Sequence, residues 1–381
     1  MRRVAIMTGG GDCAGINSFI AGAVRHGISK HGLEFVGVKK AFSGMVGEDV
    51  QANLVPLTKD RVDGLEAQPS TVLGSSRFNP FSKTNVEKGV PDQIVANLES
   101  LSIDAVLVTG GNDTINTASG LSKRGIPVVA APKSIDNDVS GTDIMLGFAT
   151  ACQFGATAFR STAESASTHG RISVVEIMGR DAGWLTLEIG AAGGADIILI
   201  PEFTVELGVL CGRVERMYRD LPGVSLAVAE GVNISASDPV LARARDKDPV
   251  VRALMGDKPV LDVHGNQKLG GISMILARIL YLELGLGSPE EVRRCDLGFH
   301  LRGLPPVSQD VVLGLRLGVG AVERLASGEG GVMVGLQGTE VVSVPFEQAL
   351  IYRRVDWPRA QLESFGVLIC DQSSTVSRRD I

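Results

Sequence analysis

The strongest constraint on the fold is a pattern that occurs three times in the first half of the chain: a short apolar run that ends in a glycine-rich or polar turn. The runs span residues 4–8, 104–109 and 126–131. Each has the length of a strand buried on both faces. Strands that alternate with helices predict a parallel, doubly wound α/β sheet with right-handed crossovers. Open sheets of this kind bind ligands at the carboxyl ends of their strands.

The turn after the third run carries the densest chemistry in the sequence. Lys133, Ser134, Asp136 and Asp138 lie close together, and a further acid, Asp143, follows. This is too much charge for a protein core, and it is typical of a ligand site at a strand end. The alternative is an acidic surface loop that caps a helix, which would explain one or two of these side chains.

The second half of the chain continues the strand–helix alternation. Further strands are predicted at residues 171–176, 196–201 and 224–230, and a helix at residues 269–283. We interpret residues 235–265, which are charged and contain proline, as a surface excursion, and residues 373–381 as a frayed tail. At 381 residues the chain should form about two domains, so we expect two doubly wound α/β domains with largely parallel sheets.

Composition excludes several classes of function. A net charge of −6 and an aromatic content of 4% argue against a nucleic acid or an anionic membrane as partner. Five cysteines without C-x-x-C spacing predict reduced thiols in the cytoplasm, with neither a zinc site nor a disulfide framework. The five histidines are too dispersed to indicate a metal site. No signal peptide is expected at the N-terminus, and no apolar run is long enough to span a bilayer.

Glycines at the strand ends predict an anion site. Residues 9–15 and 110–111 would allow backbone N–H groups to approach a phosphate, and the helix N-termini that follow favour negative charge. Taken alone, residues 9–15 do not distinguish a phosphate loop from a tight structural turn, and their spacing does not fit a dinucleotide-binding dehydrogenase. Asp113, Asp136 and Asp138 beside an anion imply Mg²⁺ or proton transfer, so phosphoryl transfer is the predicted reaction class.

Together these segments resemble the phosphofructokinase family, which phosphorylates the 1-hydroxyl of fructose 6-phosphate. The matching motifs follow the family's order over nearly the whole chain, which makes the resemblance specific. They are residues 8–17 (TGGGDCAGIN), 73–78 (LGSSRF), 110–114 (GGNDT), 132–138 (PKSIDND), 141–143 (GTD), 171–183 and 297–303 (LGFHLRG).

The resemblance implies a role for each matching position. Asp136 would be the base that accepts the proton of the sugar hydroxyl, since a carboxylate is charged at neutral pH. Lys133 and Arg180 would be the other catalytic groups. Arg180 and Arg77 could stabilise charge, although either one, taken alone, is better explained as a surface arginine. The implied donor-binding residues are Gly11, Arg77, Gly111, Asp113, Thr114 and Lys133. The implied sugar-binding residues are Ser134, Asp136, Asp138, Met178, Gly179, Arg180 and Glu230, with Arg171, Arg293 and Arg302 clasping the 6-phosphate.

Asp113 decides the expected phosphoryl donor. ATP users of the family typically carry glycine just after Gly-Gly-Asp, whereas pyrophosphate users carry aspartate there and a lysine at the position of Lys133. A carboxylate about 4 Å from a nucleotide's α-phosphate would cost about 4 kcal/mol at an effective dielectric constant of about 20. That cost is about a thousandfold in binding. Lys133 is less diagnostic because some ATP users share it. The leading hypothesis is therefore a reversible, Mg²⁺-dependent, pyrophosphate-linked 6-phosphofructokinase.

Three positions depart from the family pattern. Asn112 replaces an aspartate that helps to hold Mg²⁺, so Asn112 and Asp113 are the expected metal residues, with reduced affinity. Phe299 replaces a histidine or tyrosine that touches the 6-phosphate, and Leu301 replaces a glutamine. The alternatives are an ATP-dependent enzyme, a weaker fructose 6-phosphate enzyme, a kinase of another phosphosugar such as sedoheptulose 7-phosphate, and a regulatory sugar-phosphate-binding protein with impaired catalysis.

The resemblance also implies the domain organisation. Residues 1–148 and 301–352 would form the phosphoryl-donor domain, and residues 149–300 and 353–381 the sugar-phosphate domain. A neighbouring subunit would complete the sugar site with Arg171 or Arg293. At least a homodimer is therefore expected, and the choice between dimer and tetramer stays open.

Overall fold

The computed structural model describes residues 2–255 and 270–370. Within these ranges the chain forms two compact units. Unit 1 comprises Met1–Ala151 and His300–Arg353, and unit 2 comprises Cys152–Phe299 and Arg354–Ile381. The predicted frayed tail at residues 373–381 lies outside the described residues.

Thirteen strands define the two units within the described residues. They are β1 (Arg3–Thr8), β2 (Glu34–Val38), β3 (Leu54–Leu57), β4 (Ala105–Gly110), β5 (Val128–Pro132), β6 (Ile172–Ile177), β7 (Ile197–Leu199), β8 (Thr204–Val205), β9 (Val224–Ala229), β10 (Asn233–Ile234), β11 (Val292–Asp296), β12 (Val332–Gln337) and β13 (Glu340–Pro345).

The helices connect these strands. They are α1 (Ile16–His31), α2 (Lys59–Val62), α3 (Lys83–Glu87), α4 (Val90–Ser100), α5 (Asn112–Ser122), α6 (Phe148–Thr168), α7 (Trp184–Gly193), α8 (Leu207–Asp220), α9 (Pro239–Lys247), α10 (Pro249–Leu254), α11 (Ile272–Glu283), α12 (Ser308–Ala326), α13 (Phe346–Ala349) and α14 (Arg359–Ser364).

Unit 1 is built on a seven-stranded sheet with the order β13-β12-β5-β4-β1-β2-β3. The pairs from β12 to β2 are parallel, and β13 and β3 pair antiparallel at the two edges. The central strands are almost wholly buried, as near-continuous apolar runs in a parallel sheet should be. Thr8 pairs with Thr109, and Gly110 pairs with Pro132, so β1, β4 and β5 end level with one another.

Unit 2 contains a four-stranded parallel sheet with the order β11-β6-β9-β7 and a short parallel pair, β10-β8. Its core combines residues of β6, β7 and β9 with the inner faces of α8 and α11. The predicted α/β fold with largely parallel sheets is therefore confirmed in both units.

The prediction of a surface excursion at residues 235–265 is wrong for its described part. Val240, Leu241 and Ala244 on α9 and Val251 on α10 are at most 5% exposed and belong to the core of unit 2. Charged residues interrupt these apolar positions along the sequence, but helical spacing brings the apolar ones onto one face. Residues 256–265 lie outside the described ranges.

All five cysteines carry free thiols, which agrees with the expectation of no disulfide framework. None of the helices in the described part of the chain has the combination of length and apolar character needed to cross a membrane.

Candidate active site

Three turns of unit 1 meet at one edge of its sheet, as the strand pattern predicts. Gly9 N donates to Thr109 O at 2.9 Å, and Lys133 N donates to Gly110 O at 2.9 Å. These bonds join the turn after β1 and the segment after β5 to the end of β4, from which α5 follows. We call the resulting surface the turn cluster, defined as residues 9–15, 111–114 and 133–138.

The side chain of Thr114 explains why glycines are required at positions 9 and 110. It is buried at the start of α5. A Cβ atom at Gly9 would lie 2.7 Å from Thr114 Oγ1, and one at Gly110 would lie 2.4 Å from it, so neither position has room for a side chain. Gly10 has a φ of +78°, in the left-handed region that favours glycine. The first turn thus packs directly against the N-terminus of α5, whose backbone N–H groups can receive an anion.

Lys133 brings a buried ammonium group into the turn cluster. The side chain is 3% exposed, and Nζ donates to the backbone oxygen of Gly11. Burial lowers the pKa of Lys133, and the nearby charges of Arg302 and Arg77 lower it further. Lys133 and Arg302 thus both contact the first glycine turn, and the charge of Asp12 offsets part of the repulsion between the cations. Because like charges in a buried setting are costly, an incoming phosphate would relieve this repulsion.

Cys13 lies in the same turn and takes no part in ionic chemistry. Burial raises the pKa of its thiol to about 12, so the sulfur remains protonated at neutral pH. Its Sγ contacts the backbone oxygen of Leu146 at 3.3 Å. The side chain therefore fills space beneath the turn cluster.

Arg302 lies against the glycine turn in unit 1. Nη1 donates to Asp12 O at 3.3 Å, and a Cβ atom at Gly11 would lie 2.5 Å from Nη1. Nε is buried and finds no hydrogen-bond partner within the described ranges. Arg171 and Arg293, with which Arg302 was expected to bind the 6-phosphate, belong to unit 2. The guanidinium of Arg302 accordingly adds to the positive charge of the turn cluster.

The segment that presents Asp136 is held by its own side chains. Asp136 N donates to Ser134 Oγ at 3.1 Å. Asn137 adopts the left-handed conformation with φ +53°, and its Oδ1 accepts from Met145 N at 3.0 Å. Asparagine tolerates this backbone conformation better than most residues do. Asp136 and Asp138, one on each side of Asn137, are partly exposed and thus accessible for chemistry.

The surroundings of Asn112 show whether the residues present can bind the implied magnesium ion. Its Nδ2 donates to Asp138 Oδ2 at 3.0 Å, which directs Oδ1 away from that carboxylate. Oδ1 is buried and has no partner among the residues that the structure describes. An unsatisfied amide oxygen next to a carboxylate suits Mg²⁺, which takes one or two protein oxygens and completes its shell with phosphates and water. The residues present therefore fit this ion.

Asp113, the residue on which the donor hypothesis depends, is exposed in the first turn of α5. Its backbone oxygen accepts from the side-chain hydroxyl of Thr117, one helical turn further on, at 3.0 Å. An acid in this position is stabilised by the helix dipole in the free protein. A bound donor would compete for the same helix N-terminus.

Comparisons with known proteins identify the family of the chain. The family model described as phosphofructokinase matches residues 3–325. The chain belongs to the phosphofructokinase family. It is 37% identical to the pyrophosphate–fructose 6-phosphate 1-phosphotransferase of Dictyoglomus thermophilum over 90% of this chain and 91% of that protein. It is 33% identical to the ATP-dependent 6-phosphofructokinase 3 of Bacteroides thetaiotaomicron over 91% of this chain and 92% of that protein.

A solved structure shows the same phosphofructokinase fold. The crystal structure of the pyrophosphate-dependent phosphofructokinase from Nitrosospira multiformis aligns with a TM-score of 0.75 and 19% identity, covering 94% of this chain and 86% of that one. The family resemblance inferred from the sequence motifs is confirmed, and so is the predicted enzyme class, a phosphotransferase.

In unit 2, the phosphofructokinase motif that follows β6 meets the end of β9. The two strands are parallel neighbours, so Met178, Gly179 and Arg180 leave the sheet beside Glu230. Glu230 N donates to Ile177 O at 2.8 Å. Glu230 and Arg180 are partly exposed. The structure thus brings together four of the predicted sugar-contacting residues.

Gly231 allows the segment after β9 to approach the segment after β6 closely. Its N–H donates to Gly179 O at 3.0 Å, and a Cβ atom there would lie 1.9 Å from the backbone oxygen of Arg180. We expect Gly231→Ala to push the two segments apart, to destabilise the protein by about 1–3 kcal/mol, and to raise KM for the sugar phosphate. Urea unfolding and steady-state kinetics measure these effects.

Gly212→Ala on α8 is the matched control, because a Cβ atom there meets nothing closer than Arg216 Nη1 at 3.7 Å. Alanine in a helix should leave stability unchanged or raise it by up to about 1 kcal/mol. If Gly231→Ala behaved like this control, the close approach of the two segments would have no role.

Arg171 and Arg293 lie at the other end of the unit 2 sheet. Arg171 precedes β6, and Arg293 pairs with Ser173 at the start of that strand. Six residues of strand separate this end from Met178, or about 20 Å at about 3.3 Å per residue. Within one chain, these arginines are therefore not grouped with Met178, Gly179 and Glu230.

The residues that depart from the family pattern occupy unlike surroundings. The side chain of Phe299 is 82% exposed, so its ring is not part of the core. Leu301 is 1% exposed and is an ordinary core residue. His300, between them in sequence, is exposed. Leu301 thus has a packing role that a glutamine would not fill.

Two buried acids that support the site were missed by sequence reasoning. Asp310 on α12 is 0% exposed and accepts from Gly147 N and Thr150 N, both at 2.8 Å. Glu202 accepts from Gly183 N at 2.8 Å and from Val355 N at 3.0 Å. Burial raises the pKa of each. Their partners are distant backbone groups, so no local motif signals them.

Proposed function

We propose that this phosphofructokinase transfers a phosphoryl group from pyrophosphate to the 1-hydroxyl of fructose 6-phosphate, reversibly and with Mg²⁺. The observation that carries the choice of donor is Asp113 in the first turn of α5, on the same turn cluster as the buried ammonium of Lys133. A nucleotide would place its α-phosphate against that acid. Pyrophosphate has no such group and would avoid that contact.

Each part of the reaction would use different side chains, most of them in the turn cluster. Lys133 would neutralise the donor's oxygens, as cations do in other phosphoryl transfers. Arg302, which the family resemblance assigns to the sugar's 6-phosphate, would add positive charge from its place against Gly11. Asp136 would accept the proton of the sugar hydroxyl as that oxygen attacks phosphorus, while Ser134 and Asp138 hold the sugar. Arg180 would stabilise charge on the transferred group, and Arg77, Gly11, Gly111 and Thr114 would bind the donor.

Asn112 Oδ1, with Asp113 nearby, would hold the magnesium ion. When bound, the ion would neutralise charge on the phosphoryl oxygens. Within the described ranges, no group of three acidic, histidine or cysteine side chains converges at the turn cluster. The protein would therefore supply few metal ligands, and metal affinity would depend strongly on the bound phosphates.

Unit 1 would thus be the donor domain and unit 2 the sugar-phosphate domain, with Met178, Gly179 and Glu230 contacting the sugar. Arg171 and Arg293, at the far end of the unit 2 sheet, would bind the 6-phosphate held by a neighbouring subunit. The separation of about 20 Å along β6 supports this assignment. The functional assembly would then be at least a homodimer.

Two observations favour alternative functions. Relatives at 33% identity are named ATP-dependent, so ATP is the alternative donor. Phe299, which offers no hydrogen bond to a 6-phosphate, favours a different phosphosugar such as sedoheptulose 7-phosphate, or a protein that binds sugar phosphate with impaired catalysis.

A matrix of donors and acceptors tests the proposal on the purified chain. Pyrophosphate and ATP are each combined with fructose 6-phosphate and sedoheptulose 7-phosphate, with Mg²⁺ and with EDTA. We expect kcat/KM to be greatest for pyrophosphate with fructose 6-phosphate, and to vanish in EDTA. ATP turnover well above pyrophosphate turnover would overturn the donor assignment. Sugar-phosphate binding by calorimetry without turnover on either donor would identify the binding protein.

A further inference from the structure

The end of α1 and the last turns of α12 bring three metal-binding side chains together in unit 1. His31 Nε2 lies 3.0 Å from Glu323 Oε1, and His26 Nε2 contacts the same oxygen. The three ligand atoms lie within 4.8 Å of one another. The packing of two helices thus groups His26 and His31, although the five histidines are too dispersed along the sequence to indicate a metal site.

One of these spacings already suits a metal ion, whereas His26 Nε2 lies closer to Glu323 Oε1 than two ligands of one ion would and must move outward when an ion binds. Bonds of about 2.0–2.2 Å from a metal to nitrogen and oxygen, at angles of about 90–110°, place neighbouring ligand atoms about 3.0–3.5 Å apart. The separation between His31 Nε2 and Glu323 Oε1 falls in this range. Two imidazoles and one carboxylate select Zn²⁺, Ni²⁺, Co²⁺ or Cu²⁺ over Mg²⁺, because imidazole is a poor ligand for the harder ion.

The electrostatics of the cluster also favour a cation. Glu323 supplies a carboxylate oxygen that His26, His31 and Lys30 all approach. His31 is the last residue of α1, where the helix dipole is negative. Lys30 Nζ lies 3.0 Å from the same Oε1, but its side chain is 57% exposed and can turn into water when an ion binds.

We propose that His26, His31 and Glu323 bind one divalent first-row transition-metal ion, with water in the remaining positions. The ion would join the end of α1 to α12 and so stabilise unit 1. The site lies on side chains that the proposed reaction does not use, so it stands whether or not the donor assignment holds. Nothing in its test requires turnover.

Calorimetric titration of the EDTA-stripped full chain with Ni²⁺ and with Zn²⁺ tests the proposal. We expect a saturable site of one ion per chain, with an affinity that falls at least about tenfold in His31→Gln and in Glu323→Gln. His169→Gln, which removes an exposed histidine of unit 2, is the matched control and should bind as the wild type does. Bound metal should raise Tm by several degrees in the wild type and not in His31→Gln.

The Lys30→Met variant distinguishes a metal site from a cluster that is held only by hydrogen bonds. Removing the competing ammonium should preserve or strengthen metal binding, and Co²⁺ bound to this variant should give a visible d–d spectrum that His26→Gln abolishes. The proposal is overturned if neither the wild type nor Lys30→Met binds metal. It is also overturned if the double variant His26→Gln/His31→Gln, once shown by circular dichroism to be folded, keeps the wild-type affinity and stoichiometry.

Discussion

Replacing Asp136 with asparagine should lower kcat by about 10²–10⁴-fold without disturbing the fold. The amide cannot accept the proton of the sugar hydroxyl, so the attacking oxygen would have to lose it to water. The segment should keep its shape, because Asp136 is tied to Ser134 through its backbone N–H and Asn137 makes the bond to Met145. We therefore expect KM for the sugar phosphate to change much less than kcat.

Steady-state kinetics with the preferred donor and acceptor measure this effect. Asp143→Asn is the matched control, since Asp143 is an exposed acid of the next turn whose Oδ2 accepts from Gly338 N at 2.7 Å, a bond that asparagine can keep. The control should retain activity within about twofold. A kcat for Asp136→Asn close to that of the control would remove Asp136 from the mechanism.

Replacing Asp113 with glycine should raise kcat/KM for ATP by up to about a thousandfold and lower it for pyrophosphate. The reason is the cost of about 4 kcal/mol for a carboxylate about 4 Å from the nucleotide's α-phosphate, which corresponds to about three powers of ten in binding. Glycine removes both the charge and the bulk. Its cost to α5 is about 1 kcal/mol of stability, small beside the expected change in donor preference.

Two further variants test whether the charge or the size of Asp113 excludes ATP, and whether the effect is specific to this acid. Asp113→Asn removes the charge but keeps the size of the side chain. If Asp113→Gly and Asp113→Asn both gain ATP activity, the charge of Asp113 excludes ATP. If only Asp113→Gly gains it, the size of the side chain excludes ATP. Asp92→Asn removes an acid from the first turn of another helix, α4, and should leave donor preference unchanged. If neither variant of Asp113 gains ATP activity, the donor is not chosen by this side chain.

The local pattern of the sequence was sufficient to predict strands β1, β4 and β5 and the polar turns that follow them. Strands β1, β4 and β5 are buried apolar runs, so their period and length identify them, and parallel strands necessarily bring their carboxyl ends to one edge. The strand β11 escaped prediction because it carries Arg293 and Arg294, which are exposed on an edge strand of unit 2. Charge on an exposed edge conceals a strand from a search for apolar runs.

By itself, the sequence determined the α/β class, the family and the residues that crowd the turn cluster, because each depends on neighbours along the chain. Only the tertiary structure decided that Arg302 lies against Gly11, that Asn112 Oδ1 is left without a partner among the described residues, and that His26, His31 and Glu323 converge. These arrangements depend on how helices and strands far apart in sequence pack together. Side-chain contacts across such distances are set by the shape of the packed core, which no local pattern of residues encodes.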